Sequence, residues 1–365
     1  MTDVTVLLGS RFDALEHHGT RWRALLTRWA ADPSVERLDV VDFPRFRVGP
    51  ARAVSSRSWL PGAQVVSADV PGHRTVTGAW DRLGWRACAR ALERELGGRP
   101  DRVVIAATPL WAPLLPHLPA GRRCFDAVDD WRGLASVRHL RRRVDAGYRA
   151  AAGADACTSV TAVLADRLGR DFGVRAQVVP NGVDLQAFSD GAAAPAGLPA
   201  GLPAGRFAVY VGSVQERVDV GLIAAVAGEL PVVVAGPADA GAAAALTASG
   251  ATWLGPVDVA LVPGLLLRAS VGLLPHRVDD FTASMDPMKL LEYLAAGLPV
   301  VATPLPGVAV SERVVMVEPG PAFVREVRRL LAEPRPDAPD PAVQGRDWDG
   351  VAARLLGIYR GDGRC

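Results

Sequence analysis

The segment Ser284-Met-Asp-Pro-Met-Lys-Leu-Leu-Glu-Tyr-Leu-Ala-Ala-Gly-Leu-Pro-Val-Val301 decides the fold. Asp286 before Pro287 predicts an N-cap with proline at the first helical position, and Gly297 followed by Pro299 predicts the stop. A β-branched run starts immediately afterwards, so a short helix feeds a strand. Lys289, the one lysine in a chain with forty arginines, falls in the first turn of that helix. A cation there opposes the helix dipole, at a cost of some tenths to about 1 kcal/mol, unless an anion binds at that end. Free N–H groups at a helix start favour phosphate. Glu292 follows one turn deeper on the same face, where a carboxylate can accept hydrogen bonds from sugar hydroxyls.

The same alternation extends in both directions. Upstream of residue 189, Val4 to Leu8, Val35 to Val41, Arg102 to Ala106, Arg122 to Asp126 and Gln177 to Val179 read as strands. Thr20 to Trp29, Trp80 to Leu96, Ala135 to Gly153 and Ala162 to Phe172 read as helices. From Phe207 on, strand candidates are Phe207 to Val211, Val232 to Ala235, Ala251 to Leu254, Val271 to Pro275, Val300 to Thr303 and Val314 to Val317. Alternating strands and helices imply α/β architecture with parallel sheets covered on both faces. Between the halves, Gly191 to Gly205 is low-complexity Gly, Ala, Pro and Leu, a linker composition. The expected organisation is a first domain over 1–188, a linker over 189–205 and a second doubly wound domain over 206–340. A terminal segment, 341–365, contributes an amphipathic helix from Trp348 to Tyr359 that packs back on the first domain.

Composition sets limits. A chain of 365 residues suggests two domains at roughly 150 residues each. With 49% hydrophobic and 22% charged residues it reads as a globular protein, and a net charge of +2 gives no sign of a nucleic-acid binder. Cys88, Cys124, Cys157 and Cys365 lack zinc or disulfide spacing, so no metal is expected. No basic leader and no apolar run of membrane-spanning length is visible, which points to the cytoplasm. Neither Leu8-Gly9-Ser10 nor Val211-Gly212-Ser213 continues as G-x-G-x-x-G, and the lone lysine lies outside any Walker A context. The common cofactor motifs are therefore absent.

Several segments, in order, resemble the GT-B glycosyltransferases, in particular the family 4-like group that includes teichuronic-acid-type sugar transferases. They are Phe125-Asp-Ala-Val-Asp-Asp-Trp131, Val179-Pro-Asn-Gly-Val-Asp184, Tyr210-Val-Gly-Ser-Val-Gln-Glu-Arg217, Trp253-Leu-Gly-Pro256 and the helix segment quoted above. The resemblance spans about residues 4 to 360 and is densest in the second half. It implies two Rossmann-like domains facing across a cleft, the first binding an acceptor and the second a nucleoside-diphosphate sugar. The implied reaction is metal-independent sugar transfer to an acceptor hydroxyl, with no cofactor beyond the donor and with retention of configuration. The acceptor is a glycan, a lipid-linked sugar or a small natural product.

Residue by residue, the resemblance places the donor on Gly212, Ser213, Arg217, Trp253, Leu254, His276, Asp286, Met288, Lys289, Leu290 and Glu292. Arg217 matches the basic diphosphate contact and Glu292 the ribose contact. Retaining relatives carry a glutamate eight residues before the Glu292 position, where this chain has Ser284. Asp286, Asp280 or Asp279, or backbone amides, are then expected to take over the sugar contact. Relatives often have a His-Asp pair where Asp129-Asp130 stands here, and with Asp126 these are the candidate general bases that an inverting reaction needs. Epimerase, hydrolase and non-catalytic nucleotide-sugar-binding readings share the same donor residues. His17 and His18 read as a loop pair or a catalytic histidine, and Arg138-His-Leu-Arg-Arg-Arg143 as a solvated helix face or a contact to an anionic membrane.

Overall fold

The computed structural model describes residues 1–17, 19–72, 79–189, 198, 200–308, 311–336 and 338–362. The chain divides into two compact units, Met1–Pro180 with Asp349–Cys365, and Asn181–Trp348.

The first unit is built on strands β1 (Thr2–Leu7), β2 (Val35–Val41), β3 (Arg45–Arg47), β4 (Arg52–Ser56), β5 (Ala63–Pro71), β6 (Val103–Ala106), β7 (Arg122–Ala127), β8 (Ala156–Ser159) and β9 (Ala176–Val178). Their order is β3-β5-β2-β1-β6-β7-β8-β9, parallel throughout, with β4 antiparallel on β5. Helices α1 (Arg21–Ala31), α2 (Ala79–Leu96), α3 (Arg141–Ala151) and α4 (Ala162–Phe172) cover it. Thr20 and Thr161 cap α1 and α4 by accepting the amides three residues on. The span expected as one helix over 135–153 is a 3-10 turn, Ala135–Leu140, followed by α3.

The second unit has β10 (Ala208–Val211), β11 (Val232–Ala235), β12 (Thr252–Trp253), β13 (Val271–Leu274), β14 (Val300–Ala302) and β15 (Val314–Met316) in the order β12-β11-β10-β13-β14-β15, all parallel. Between and after them run α5 (Val220–Ala227), α6 (Ala240–Ala248), α7 (Val262–Arg268), α8 (Met288–Ala295) and α9 (Pro321–Ala332). Counted within the unit this is the doubly wound order 3-2-1-4-5-6. Its strand order reverses between β10 and β13, the place where such sheets bind ligands at their carboxyl ends.

The unit boundary falls earlier than the linker composition suggests. Asn181 to Phe188 pack with the second unit, because Val183 pairs with Asp347 and Phe188 is buried in its core. Residues 190–197 and 199 of the expected linker lie outside the described residues. The last helix, α10 (Trp348–Arg360), starts at the boundary, and from Asp349 on it counts with the first unit. Trp29 Nε1 donates to the Ala352 carbonyl at 3.1 Å, and Tyr359 is fully buried.

Candidate functional site

At the switch point of the second unit, β10 ends in Val211, whose amide donates to the Tyr293 hydroxyl at 2.9 Å. Gly212 follows at φ 124°, and a Cβ there would meet Lys289 Nζ at 3.1 Å. Gly236, after β11, has φ 146°, and a Cβ on it would lie 2.2 Å from the Gly212 carbonyl oxygen. Both positions require glycine. Gly272 on β13 makes room for the Tyr293 ring, which a Cβ would approach to 2.5 Å. These close approaches let α8 lie down on the sheet and bring its first turn to the end of β10. A Gly236→Ala change is accordingly expected to cost about 1–3 kcal/mol of stability, readable as a lowered Tm.

Lys289 and Glu292 are half-buried on α8, while Leu290, Leu291, Tyr293, Leu294 and Ala295 pack into the unit. Lys289 Nζ donates to Tyr210 Oη at 2.7 Å, and Tyr210 Oη donates in turn to the Ser213 carbonyl at 3.1 Å. Among the described residues no carboxylate lies within ion-pair distance of Lys289 or of Arg217. Burial, reinforced by the nearby Arg217 charge, draws the Lys289 ammonium down to about 7 despite the opposing pull of Glu292. Burial pushes Glu292 up to about 7, with Lys289 pulling it back.

Arg217 sits in the loop after β10, and its carbonyl accepts the Arg277 amide at 2.8 Å, which ties that loop to the end of β13. Its Nε is buried and has no hydrogen-bond partner. His276, at that same strand end, is 0% exposed, and neither ring nitrogen has a hydrogen-bond partner. The Arg217 carbonyl draws its pKa up slightly from outside hydrogen-bond geometry. Burial dominates, followed by the Lys289 and Arg217 charges, and holds the imidazole well below its ordinary value, hence neutral. An unsatisfied buried polar group costs about 1–3 kcal/mol. Arg217 Nε and the single N–H of the neutral His276 ring are therefore donors with no hydrogen-bond acceptor among the described residues, and the other His276 nitrogen is an acceptor with no donor.

The helix start points the same way. The sequence predicts Asp286 as the N-cap, but α8 begins at Met288 behind Pro287 and has no side-chain cap. The Asp286 carboxylate accepts instead from the Asn181 amide and from Arg346. The Asp286 carboxylate thus bonds within the second unit instead of capping α8. The first turn is left with a cation and no cap, the arrangement an external anion completes.

The other expected donor residues make contacts within the unit. Leu290 is 2% exposed in the core, with its amide bonded to the Pro287 carbonyl. Trp253 Nε1 donates to the Gly236 carbonyl at 3.0 Å, and the Gly236 amide donates to the Gly255 carbonyl at 2.8 Å. Trp253 and Leu254 therefore brace the glycine turn beside Gly212. Met288 and Ser213 are half-buried at the two edges of the Lys289 site. Ser284 is 1% exposed in a 3-10 turn and donates to the Phe281 carbonyl at 2.8 Å. Asp279 Oδ1 accepts the Thr282 amide at 2.8 Å within that turn, whereas Asp280 is exposed.

In the first unit the carboxylate trio separates by burial. Asp126 is 0% exposed, paired with buried Arg21 (Nε to Oδ2 2.9 Å) and accepting from Thr158 Oγ1 at 2.7 Å. Thr158 Oγ1 also bonds Tyr359 Oη at 2.6 Å, which connects Asp126 to α10. Asp130, 3% exposed, accepts from Arg167 Nη1 at 2.9 Å and from the Arg132 amide at 3.1 Å. Both carboxylates are buried and ion-paired with arginines. Asp129 is the half-buried member, and its carbonyl accepts from Tyr148 Oη at 3.3 Å. His17 is exposed and 3.9 Å from Glu16, while His18 lies outside the described residues. Within the basic run, Arg143 is buried against Phe46 and paired with Asp81, which leaves Arg138, Arg141 and Arg142 exposed. Cys88, Cys124 and Cys157 are free thiols, each pushed up to about 12 by burial. No cluster of three or more His, Cys, Asp or Glu suited to a metal occurs among the described residues.

Sequence reasoning missed Tyr210, Tyr293, Gly236, Gly272, Asn181 and Arg346. The one available signal was that two of the four tyrosines lie in the segments bearing Gly212 and Lys289.

Residues 207–333 match the family model described as glycosyl transferases group 1. The teichuronic acid biosynthesis glycosyltransferase TuaH of Bacillus subtilis (strain 168) is 26% identical over 206 residues, 52% of each chain. The chain thus spans about half the length of that curated relative. Among solved structures, sucrose-phosphate synthase of Thermosynechococcus elongatus superposes with a TM-score of 0.72 at 17% identity, over 99% of both chains. The UDP-forming α,α-trehalose-phosphate synthase of Burkholderia xenovorans, in complex with glucose-6-phosphate, reaches 0.69 at 12% identity, over 98% of this chain and 100% of that one. The fold is that of the GT-B glycosyltransferases, and residues 207–333 are similar to the group 1 glycosyl transferases.

Proposed function

We propose that the chain transfers a sugar from a nucleoside-diphosphate sugar, held by the second unit, to a hydroxyl of an acceptor held by the first. One observation supports this most: two cations, Arg217 and Lys289, stand without a carboxylate ion pair among the described residues, near an uncapped helix start at the sheet's switch point. The diphosphate supplies the missing negative charge, and Glu292 accepts from the ribose hydroxyls. As the glycosidic bond breaks, charge grows on the departing diphosphate, and Arg217, Lys289 and the α8 amides stabilise it. In this scheme no metal takes part.

Retention is the favoured stereochemistry on the overall likeness to the family, and the ion pairs of Asp126 and Asp130 support it because an inverting reaction needs an available base. The setting is cytoplasmic, with Arg138, Arg141 and Arg142 meeting an anionic membrane face where the acceptor is lipid-linked. No helix among the described residues is long and apolar enough to cross a membrane. Incubation with UDP-, GDP- and dTDP-sugars in excess chelator tests the core of the reading. Saturable binding and slow release of free sugar from one donor are expected, and failure of every nucleotide sugar to bind overturns it.

The reading fixes a pH dependence. A bound diphosphate favours the ammonium form of Lys289, so affinity falls as pH rises through about 7, the value in the free protein. Glu292 must be ionised to accept two ribose hydroxyls, so affinity also falls as pH drops below about 7. Donor affinity is therefore expected to peak near neutrality. Titration calorimetry across pH checks this: Lys289→Ala removes the alkaline limb and Glu292→Gln the acid limb. A flat profile in the parent protein contradicts both assignments.

A further inference from the structure

The use made of Asp286 reaches beyond its own side chain. Its Oδ2 accepts the backbone N–H of Asn181 at 2.6 Å, while Asn181 Nδ2 donates to the Asp286 carbonyl at 2.8 Å. Arg346 closes the ring, with Nη2 donating to Asp286 Oδ2 at 3.1 Å and Nε donating to the Asn181 carbonyl at 2.9 Å. These residues are far apart in sequence, yet Asn181 opens the second unit and Arg346 lies just before Trp348, which ends it. The chain is tight around them. The Val183 amide donates to the Arg346 carbonyl at 2.8 Å and the Trp348 amide to the Val183 carbonyl at 3.2 Å. A Cβ on Gly182 would lie 2.8 Å from the Arg346 carbonyl oxygen and 3.0 Å from the Trp348 ring. The Pro-Asn-Gly-Val motif is thereby accounted for as a clasp, with asparagine bridging to Asp286, glycine permitting the crossing and valine pairing with Asp347.

The clasp acts on the start of α8. That helix has eight residues and no capping side chain. A helix so short is marginal on its own, so its first turn must be fixed from outside. Asp286 lies two residues before Met288, and Lys289 is the second residue of the helix. We propose that Asn181, Asp286 and Arg346 are positioning residues for the nucleotide-sugar site, clamping the first turn of α8 so that Lys289 and Glu292 are presented to diphosphate and ribose. The proposal rests on the donor-site reading above. Loss of the clasp lets the first turn fray and the ammonium wander, and a displacement of about 1 Å in a binding group costs up to about 100-fold.

The test uses the full chain, with UDP, GDP and dTDP as probes, in the parent protein and in Asp286→Asn, Arg346→Ala and Arg346→Lys. Binding is measured by calorimetry, backbone order by hydrogen exchange, and stability by thermal melting. The expected result is diphosphate affinity at least about tenfold weaker in Asp286→Asn and Arg346→Ala, with faster exchange in the first turn of α8 and unchanged exchange in α9. Arg346→Lys recovers only part of the loss, because an ammonium cannot reproduce the forked pair of bonds. A purely structural clasp would lower Tm and leave the dissociation constant within twofold of the parent, and that result overturns the proposal. Should Asp286→Asn and Arg346→Ala not fold, Asn181→Ala removes a single bond, and unchanged affinity there overturns it equally. If the parent binds none of the three diphosphates, the donor-site reading is what has failed, and the positioning role falls with it.

Discussion

Lys289→Ala is expected to weaken nucleoside-diphosphate binding by about 10- to 150-fold, the equivalent of roughly 1.5–3 kcal/mol for a hydrogen bond involving a charged group. The direction follows from the apo geometry. Lys289 donates to Tyr210 Oη, a neutral partner, and has no ion pair among the described residues. Its strongest remaining interaction is thus still to be made. The same substitution removes a buried charge whose desolvation holds the ammonium down to about 7, so the variant should melt no lower than the parent at neutral pH. Weaker binding together with undiminished Tm separates a ligand contact from a packing residue. A nucleoside monophosphate should lose less than a diphosphate, since it presents fewer phosphate oxygens to the helix start. Unchanged diphosphate affinity would refute the role.

A larger effect on stability is expected in the first unit. Arg21 and Asp126 form an ion pair with side-chain exposures of 2% and 0%, and Thr158 and Tyr359 extend it to α10. Replacing Arg21 with methionine strands a buried carboxylate, which costs about 3–5 kcal/mol. For a unit of this size that corresponds to a drop in Tm on the order of 10 °C. The double variant Arg21→Met, Asp126→Leu should recover much of the loss, because no charge is then left unpaired. If Arg21→Met melts within about 2 °C of the parent, the pair is not the organising contact described here.

These two sites show how legible the sequence was. Lys289 and Glu292 could be read because a helix start, a lone lysine and a carboxylate one turn on are local patterns. The strand count of the second unit followed from six runs of strand character separated by helical spacing, and the structure has six strands there among the described residues. Asp286 read wrongly because a carboxylate before Pro-Met is locally a cap, while the partners that divert it, Asn181 and Arg346, lie 105 and 60 residues away. Asp126 likewise carries no local mark of its ion pair with Arg21, which is 105 residues distant. Strands β3, β4, β5 and β8 also escaped notice, β4 and β8 for a different reason. Arg52–Ser56 is mostly exposed on the sheet edge and Ala156–Ser159 is made of small and polar residues, so neither shows the β-branched alternation that marks a half-buried strand. Gly236 and Gly272 are needed because of backbone and ring contacts across the sheet, which no window of sequence contains.

The central claim is that the first turn of α8, Lys289 and Arg217 form a diphosphate site with Glu292 as its ribose contact. A crystal structure of the full chain with its preferred nucleoside diphosphate tests it most directly. The account predicts phosphate oxygens within about 3 Å of Lys289 Nζ and the Arg217 guanidinium, with both ribose hydroxyls on Glu292. A diphosphate bound away from the carboxyl ends of β10 and β13, or a Glu292 carboxylate with no contact to the ribose, would contradict it.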